Sequence, residues 1–122
     1  MAKNFKSCLK KIDVSSNNLT DRCFEIFNSD KLGLRNLEDL ILSNNKITSE
    51  GVKIFVSNGG KLPKLMRVVL NYCEVSDEGY KFFALHGGNF KKLEWVYLKG
   101  NKITEKGKEF VQCISYPFNF YL

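Results

Sequence analysis

The sequence predicts a right-handed α/β solenoid, in which four strand–helix repeats form a parallel sheet on one side and a layer of helices on the other. Two observations lead to this prediction. Four segments of the 122-residue chain align without insertion at a constant period of 28, beginning at Leu9, Leu37, Leu65 and Leu93. Within each segment, alternating apolar residues typical of a strand precede a hydroxyl residue and the apolar spacing of a helix. Units of this length stack on their neighbours because none can bury its apolar face alone.

The strand of each repeat is indicated by apolar residues at alternate places. The fourth and sixth places of the repeats hold Ile12 and Val14, Leu40 and Leu42, Val68 and Leu70, and Val96 and Leu98. Because successive side chains of a strand point to opposite faces, these residues should be buried, while the third, fifth and seventh places project from the other face. We therefore expect a parallel sheet with one buried face, whose central strands begin near Leu37, Leu65 and Leu93.

The ninth place of each repeat carries a short side chain that can form hydrogen bonds, namely Asn17, Asn45, Cys73 or Asn101. An asparagine at this place can bond the peptide groups of the turn that leaves the strand, so stacked copies would satisfy buried backbone groups. The thiol of Cys73 is a weaker donor but is small enough to fit. The register predicts that Asn45 is buried and that its neighbour Asn44 faces solvent.

A helix is predicted to follow each strand. Its N-cap would be the hydroxyl residue at the twelfth place of the repeat, namely Thr20, Thr48, Ser76 or Thr104, and acidic residues follow it. Pairs of apolar residues are expected to face the strands, namely Ile26 and Phe27, Ile54 and Phe55, Phe82 and Phe83, and Phe110 and Val111. Glycines are typical of helix ends, and here they are Gly33, Gly59 with Gly60, and Gly87 with Gly88.

Residues 116–122 depart from the pattern and are predicted to form an irregular tail of a single domain that spans residues 1–122. Phe118 keeps the register of the apolar residues that lead the chain back to the next strand, Leu34, Leu62 and Phe90. Pro117 removes a backbone hydrogen-bond donor. It is followed by three large apolar residues that have no further repeat to pack against, Phe120, Tyr121 and Leu122. We expect the tail either to cover the apolar end of the fourth repeat or to mediate self-association.

These landmarks make the sequence resemble the leucine-rich repeats of the ribonuclease-inhibitor type, an intracellular subclass with a strand and a full helix in each repeat. The shared pattern is L-x-x-L-x-L-x-x-N-x-L-T-x-x-G, and it extends from Leu9 to about Phe118. Two residues depart from this pattern: Cys23 stands where glycine is expected, and Cys73 stands in the row of asparagines. The resemblance implies a curved solenoid whose concave face is lined by the strands.

The concave face is the predicted binding surface, because its composition changes from polar in the first repeat to aromatic in the last two. We predict that a protein partner binds there through Trp95, Tyr97, Tyr72, Arg67, Val69, Ile41 and Met66. Tryptophan, tyrosine, arginine and methionine are enriched at the centres of protein interfaces. The alternative is that these are isolated exposed aromatic residues of the kind that many surfaces carry.

Catalysis is not expected. The only histidine, His86, precedes two glycines at a predicted helix end, where a favourable interaction with the helix dipole explains it. Glu38 and Asp39 are adjacent in a strand and cannot share a proton, because neighbouring side chains point apart. The chain has four cysteines, Cys8, Cys23, Cys73 and Cys113. They are widely separated along the chain and form no metal-binding motif. We expect neither a cofactor nor a metal ion.

The net charge of +6 favours a second hypothesis, binding of nucleic acid or another anionic surface. It would depend on the scattered lysines, notably Lys10, Lys11, Lys91, Lys92, Lys99, Lys102, Lys106 and Lys108. Only 3 of the 19 basic residues are arginines, and glutamates alternate with the lysines, so protein binding is the favoured hypothesis. Without an apolar run of about 18 residues or a stretch of signal-peptide type, we expect an intracellular, cytoplasmic protein.

Overall fold

The computed structural model describes residues 8–29 and 32–122. Within these residues, five short strands form one parallel sheet: β1 (Lys11–Asp13), β2 (Asp39–Ile41), β3 (Arg67–Val69), β4 (Trp95–Tyr97) and β5 (Asn119–Tyr121). Four α-helices alternate with them: α1 (Cys23–Phe27), α2 (Ser49–Ser57), α3 (Asp77–His86) and α4 (Glu105–Gln112). Each strand pairs with the next one along the chain, so the predicted α/β repeat solenoid is confirmed.

The constant period sets the register of the sheet. Leu40 pairs with Ile12 on one side and with Val68 on the other, and Val68 pairs with Val96. Leu40, Val68 and Val96 are fully buried in the core, whereas the residues on either side of them in each strand are half-buried. The third- and fifth-place side chains therefore lie on the opposite surface of the sheet, which we call the strand face.

The predicted row of asparagines is present and bonds backbone groups between repeats. The side chain of Asn45 accepts hydrogen bonds from the backbone N–H groups of Asn17 at 3.1 Å and Leu19 at 2.8 Å, and it donates to the carbonyl oxygen of Leu42 at 2.9 Å. Asn101 accepts from the N–H of Val75 in the same way, at 2.9 Å. Asn45 is buried and Asn44 is exposed, as the register predicts.

A second row of hydrogen bonds, which was not predicted from the sequence, joins the helix N-termini of successive repeats. The carboxylate of Asp21 accepts from the N–H of Thr48 at 2.8 Å and from the hydroxyl of Thr48. Asp77 binds Thr104 through the same two groups, and the hydroxyl of Thr104 lowers the pKa of Asp77. Gly51 lies against Asp21, and a Cβ atom at Gly51 would clash with that carboxylate.

This second row explains why three of the four predicted N-caps are confirmed and one is wrong. Thr48, Ser76 and Thr104 each precede a helix of eight or more residues, although only the two threonine side chains form a capping hydrogen bond with their helix. Thr20 does not precede its helix in this way, because α1 begins only after Arg22, two residues later in the repeat. None of the described residues bonds Thr20 from a preceding repeat as Asp21 bonds Thr48, and α1 has only five residues.

The prediction that both residues of each apolar pair face the strands is wrong for the first member. Ile26, Ile54 and Phe110 are 59%, 40% and 43% exposed, and Phe82 is half-buried. Adjacent residues of a helix are about 100° apart, so only one of them can face the sheet. The second inward position is one turn earlier, and it is filled by Phe24, Val52 and Tyr80.

Gly59 and Gly87, the first glycines after α2 and α3, lie at the helix ends, and close packing explains them better than backbone conformation does. A Cβ atom at Gly59 would lie 3.1 Å from the Phe90 ring, and one at Gly87 would lie 2.5 Å from the Phe118 ring. Each glycine thus makes room for an aromatic ring of the next repeat. Gly33 differs, since its φ of 59° is a left-handed conformation that favours glycine.

The prediction of an irregular tail is wrong, because the tail contains β5. Phe118 packs over Gly87 in the predicted register, but Asn119 then pairs with Trp95, an interval of 24 where the other strand pairs keep the full period. After Phe118 the chain enters β5 directly, so the segment that leads back to the strand is four residues shorter than in the other repeats. Pro117 precedes the strand, so its missing N–H group costs the sheet no hydrogen bond.

The tail covers the fourth repeat, which is the first of the two outcomes expected for it. Phe120 lies edge-on to Tyr80 and Phe83, with ring centroids 4.9 and 6.0 Å away, and also contacts Tyr116. Phe118 is buried against Phe83 at 5.6 Å. These rings close the apolar core at β4 and α3.

We predict that Asn45→Ala lowers the free energy of unfolding by about 1 to 3 kcal/mol, because it leaves buried peptide groups without partners. Asn44→Gly is the matched control, since Asn44 is exposed and its φ of 57° suits glycine better than alanine. Urea unfolding followed by circular dichroism would measure both variants. Equal unfolding midpoints for the two would contradict the hydrogen-bond role of Asn45.

Removal of residues 116–122 should lower the midpoint of thermal unfolding or cause aggregation, because it exposes the core beside Phe83. Leu122→Ala is the control: Leu122 is 44% exposed and follows β5, so its truncation should change the midpoint little. Thermal melts with size-exclusion chromatography would test both. A truncated chain that melts unchanged as a monomer would show that the tail is dispensable.

Candidate functional site

Two rows of side chains cross the strand face because equivalent residues of the repeats pair in register. The third-place row consists of Lys11, Asp39, Arg67, Trp95 and Asn119. The fifth-place row beside it consists of Asp13, Ile41, Val69, Tyr97 and Tyr121. Neighbouring strands are about 4.8 Å apart, so residues next to each other in a row are within side-chain contact.

Arg67 occupies the middle of the third-place row and is held there by two neighbours. Its Nε atom donates a hydrogen bond to the Asp39 carboxylate at 2.6 Å, and its Cζ atom is 6.0 Å from the centroid of the Tyr97 ring. The Asp39 carboxylate is the main cause of a raised pKa for Arg67, so the guanidinium is always charged. Arg67 therefore joins an acidic and an aromatic residue.

Tyr97 is packed on its other side by Tyr121 of the tail. The two rings are stacked with their centroids 4.7 Å apart and an angle of 16° between their planes. Tyr121 was not among the predicted site residues, because the tail that contains it was predicted to be irregular. The alternation of Phe118, Asn119 and Phe120 was a signal for a strand that would have brought Tyr121 beside Tyr97.

An open depression of about 510 Å³ lies on the strand face around these residues. Its lining consists of Glu38, Asp39, Met66, Arg67, Trp95 and Tyr97. The structure thus gathers four of the seven predicted binding residues in one place. Trp95 is half-buried, and its indole N–H donates no hydrogen bond to the described residues. An aromatic surface and a free donor are available there to a ligand.

The other three predicted residues are placed differently. Ile41 and Val69 are half-buried in the fifth-place row beside Tyr97. Tyr72 lies apart from Trp95, in the turn after β3, where it lines a separate depression with Asn44. It is 52% exposed, its φ is 55°, and its ring covers the backbone of Gly100, where a Cβ atom would clash with it.

The groups considered for chemistry are not assembled into a catalytic arrangement. His86 is exposed at the end of α3, with its ring 4.5 Å from the Phe82 ring. Asp39 is bonded to Arg67 and not to Glu38. Burial raises the pKa of Cys23 to about 11, so its thiol stays protonated. Among the described residues, no cluster of histidine, cysteine and carboxylate side chains could hold a metal ion.

The comparisons with known proteins agree with this architecture. A family model described as a leucine-rich repeat matches residues 5–22 and 33–55. The crystal structure of a protein from Bacteroides fragilis is similar to this one, with a TM-score of 0.53 and 22% sequence identity. The similarity covers 90% of this chain and 40% of the Bacteroides protein, so this chain spans less than half of that protein. No curated protein matches the chain.

Helices long and apolar enough to cross a membrane do not occur in residues 8–29 and 32–122. The chain is thus similar to leucine-rich repeats in sequence at residues 5–22 and 33–55, and the described residues form an α/β repeat solenoid whose parallel sheet alternates with helices.

Proposed function

We propose that this chain is a non-catalytic protein–protein interaction module that binds a protein partner on its strand face. The observation that carries the proposal is the depression that brings Met66, Arg67, Trp95 and Tyr97 together. These residue types supply most of the binding energy at protein interfaces. Leucine-rich repeat domains are generally protein-interaction modules, which supports the same conclusion.

The packing of the depression favours tight binding because much of it is already ordered. Arg67 is fixed by Asp39, and Tyr97 is held between Arg67 and Tyr121. Side chains that are ordered before binding lose less conformational entropy when a partner arrives. Ile41 and Val69 extend the apolar surface along the fifth-place row, so the proposed contact area is wider than the depression itself.

The ribonuclease-inhibitor type is the subclass that the repeat length supports best. The repeats keep a period of 28, and a full helix follows the strand in three of them, since α2, α3 and α4 contain 9, 10 and 8 residues. We assign the chain to this subclass as part of the same proposal. Self-association through the tail is less favoured, because Phe118 is buried and Phe120 is half-buried within the chain.

The distribution of charge argues against nucleic acid as the main ligand. Two carboxylates, those of Glu38 and Asp39, line the depression beside its single arginine. A phosphate backbone would be repelled from this part of the surface. Contact anchored by Trp95 and Tyr97 should also weaken little as ionic strength rises, because it depends on apolar burial rather than on long-range charge.

We predict that the double variant Trp95→Ala, Tyr97→Ala loses the protein partners that the unaltered chain binds. Truncating a central aromatic residue of an interface costs about 2 kcal/mol or more, roughly a thirtyfold loss of affinity. Affinity capture from cells, quantified by mass spectrometry at low and moderate salt, would measure the loss. Circular dichroism would establish that the variant is folded.

Phe110→Ala is the control for this experiment, because Phe110 is 43% exposed on α4, in the helix layer and away from the strand face. It should retain every partner that the unaltered chain binds. Partners captured equally well by the double variant would place binding elsewhere on the surface. Capture dominated by nucleic acid and abolished by moderate salt would favour the lysine-based hypothesis instead.

A further inference from the structure

We infer that the depression on the strand face receives a cationic side chain of the protein partner, a lysine or an arginine, which lies over Met66 next to Glu38, with Glu94 outside the depression on the far side of Met66. The inference rests on the proposed function and adds the chemistry of the residue that is recognised. Its evidence is the charge, the register and the aromatic contacts of the described residues around Met66.

Glu38 is the uncompensated charge in the depression. Asp39 is neutralised by its hydrogen bond to Arg67, whereas the carboxylate of Glu38 forms no ion pair or hydrogen bond with the described residues. Glu38 is half-buried, so part of its hydration is already lost. A partly desolvated carboxylate without a partner is stabilised by an incoming cation more than a fully hydrated one is.

The register places a second carboxylate on the other side of Met66. The N–H of Met66 donates to the carbonyl oxygen of Glu38 at 2.9 Å, and the N–H of Glu94 donates to the carbonyl oxygen of Met66 at 2.8 Å. The three residues therefore immediately precede β2, β3 and β4, and the backbones of the two glutamates are about 10 Å apart with Met66 between them. The side chain of Glu94 is exposed and also has no ion-pair partner among the described residues.

The surroundings of the two glutamates differ, so their contributions to binding of a cation should differ as well. Lys91 and Lys92 line a shallow site together with Glu94 and Met66, so they weaken the negative potential at Glu94. Lys10 lies beside Glu38 in the same register, because the N–H of Glu38 donates to its carbonyl oxygen at 2.8 Å, but Lys10 is exposed and forms no ion pair with Glu38. Since Glu38 lines the depression and Glu94 does not, Glu38 should contribute more than Glu94 to binding of a cation. The net charge of +6 acts weakly here, because charges beyond about 8 Å are screened at physiological salt.

The apolar wall of the depression suits the methylene stem of such a side chain. Met66 and Trp95 line it together, and the long stem of lysine or arginine packs well on apolar surface while its charge stays near water. Trp95 is the aromatic ring available for a cation–π contact, because Tyr97 already contacts Arg67 on one side and Tyr121 on the other. An acidic partner residue is disfavoured, since Asp39 already neutralises Arg67.

A peptide library displayed on phage and selected against the whole chain would test this inference. Peptides that also bind Trp95→Ala would be removed in a depletion step. Trp95 is the only tryptophan of the chain, so its fluorescence would report binding of each selected peptide in solution. We expect the selected peptides to share a lysine or arginine next to apolar residues.

A double-mutant cycle would then isolate the charge contact. Replacing the shared lysine or arginine of the peptide by norleucine should weaken binding to the unaltered chain about three- to tenfold. The same replacement should change binding to Glu38→Gln less than twofold, and binding to Glu94→Gln by an intermediate factor. Glu109→Gln, on α4 in the helix layer, should behave like the unaltered chain.

Three results would overturn the inference: selected peptides without a shared cation, selection of acidic peptides, or an equal norleucine effect in Glu38→Gln and in the unaltered chain. If such peptides still require Trp95, the proposed function stands and only the cation-binding role of Glu38 fails. If no peptide binds in a manner that requires Trp95, the strand face is not the binding surface and both proposals fail.

Discussion

Side chains of neighbouring repeats bond the peptide groups that follow β1 and β3 and those at the starts of α2, α3 and α4, and the rest of the structure depends on these hydrogen bonds. Asn45 reaches back to the backbone of Asn17 and Leu19, while Asp21 reaches forward to Thr48 at the start of the next helix. One row of bonds fixes the end of the strand, and the other fixes the beginning of the helix. An inserted residue would break one row or the other, which explains why the period of the four repeats stays constant.

The sequence predicted the strands and the asparagine row because residues with the same role recur at identical places. The row formed by Asp21, Ser49 and Asp77 was not identified for a related reason: a serine replaces the carboxylate in the second repeat, and its hydroxyl accepts from the N–H groups of Ser76 and Gly79. The exposure of Ile26 was missed because two adjacent apolar residues indicate a helix without indicating which of them faces the sheet. That choice depends on the position of the helix over the strands.

The tail shows how pairing of backbone groups can prevail over a sequence period. β4 offers unpaired N–H and carbonyl groups at its edge, and the N–H of Leu98 donates to the carbonyl oxygen of Tyr121 at 2.7 Å. Phe118 occupies the expected position over Gly87, and the next residues pair directly with β4, although the segment between Phe118 and the strand is four residues shorter than in the other repeats. A period of 28 could not predict this strand, because the strand begins at an interval of 24. Only its apolar alternation indicated it.

The fold constrains residue type least on the strand face, so the residues found there are informative about function. Lys11, Asp39, Arg67, Trp95 and Asn119 occupy equivalent places on successive strands, although they differ in charge, size and polarity. Stacking of the repeats therefore tolerates almost any side chain in this row. The fold itself does not require a half-buried tryptophan beside a bonded arginine and an unpaired carboxylate. Their presence together, on a frame held rigid by the rows of hydrogen bonds, supports selection for contact with another molecule.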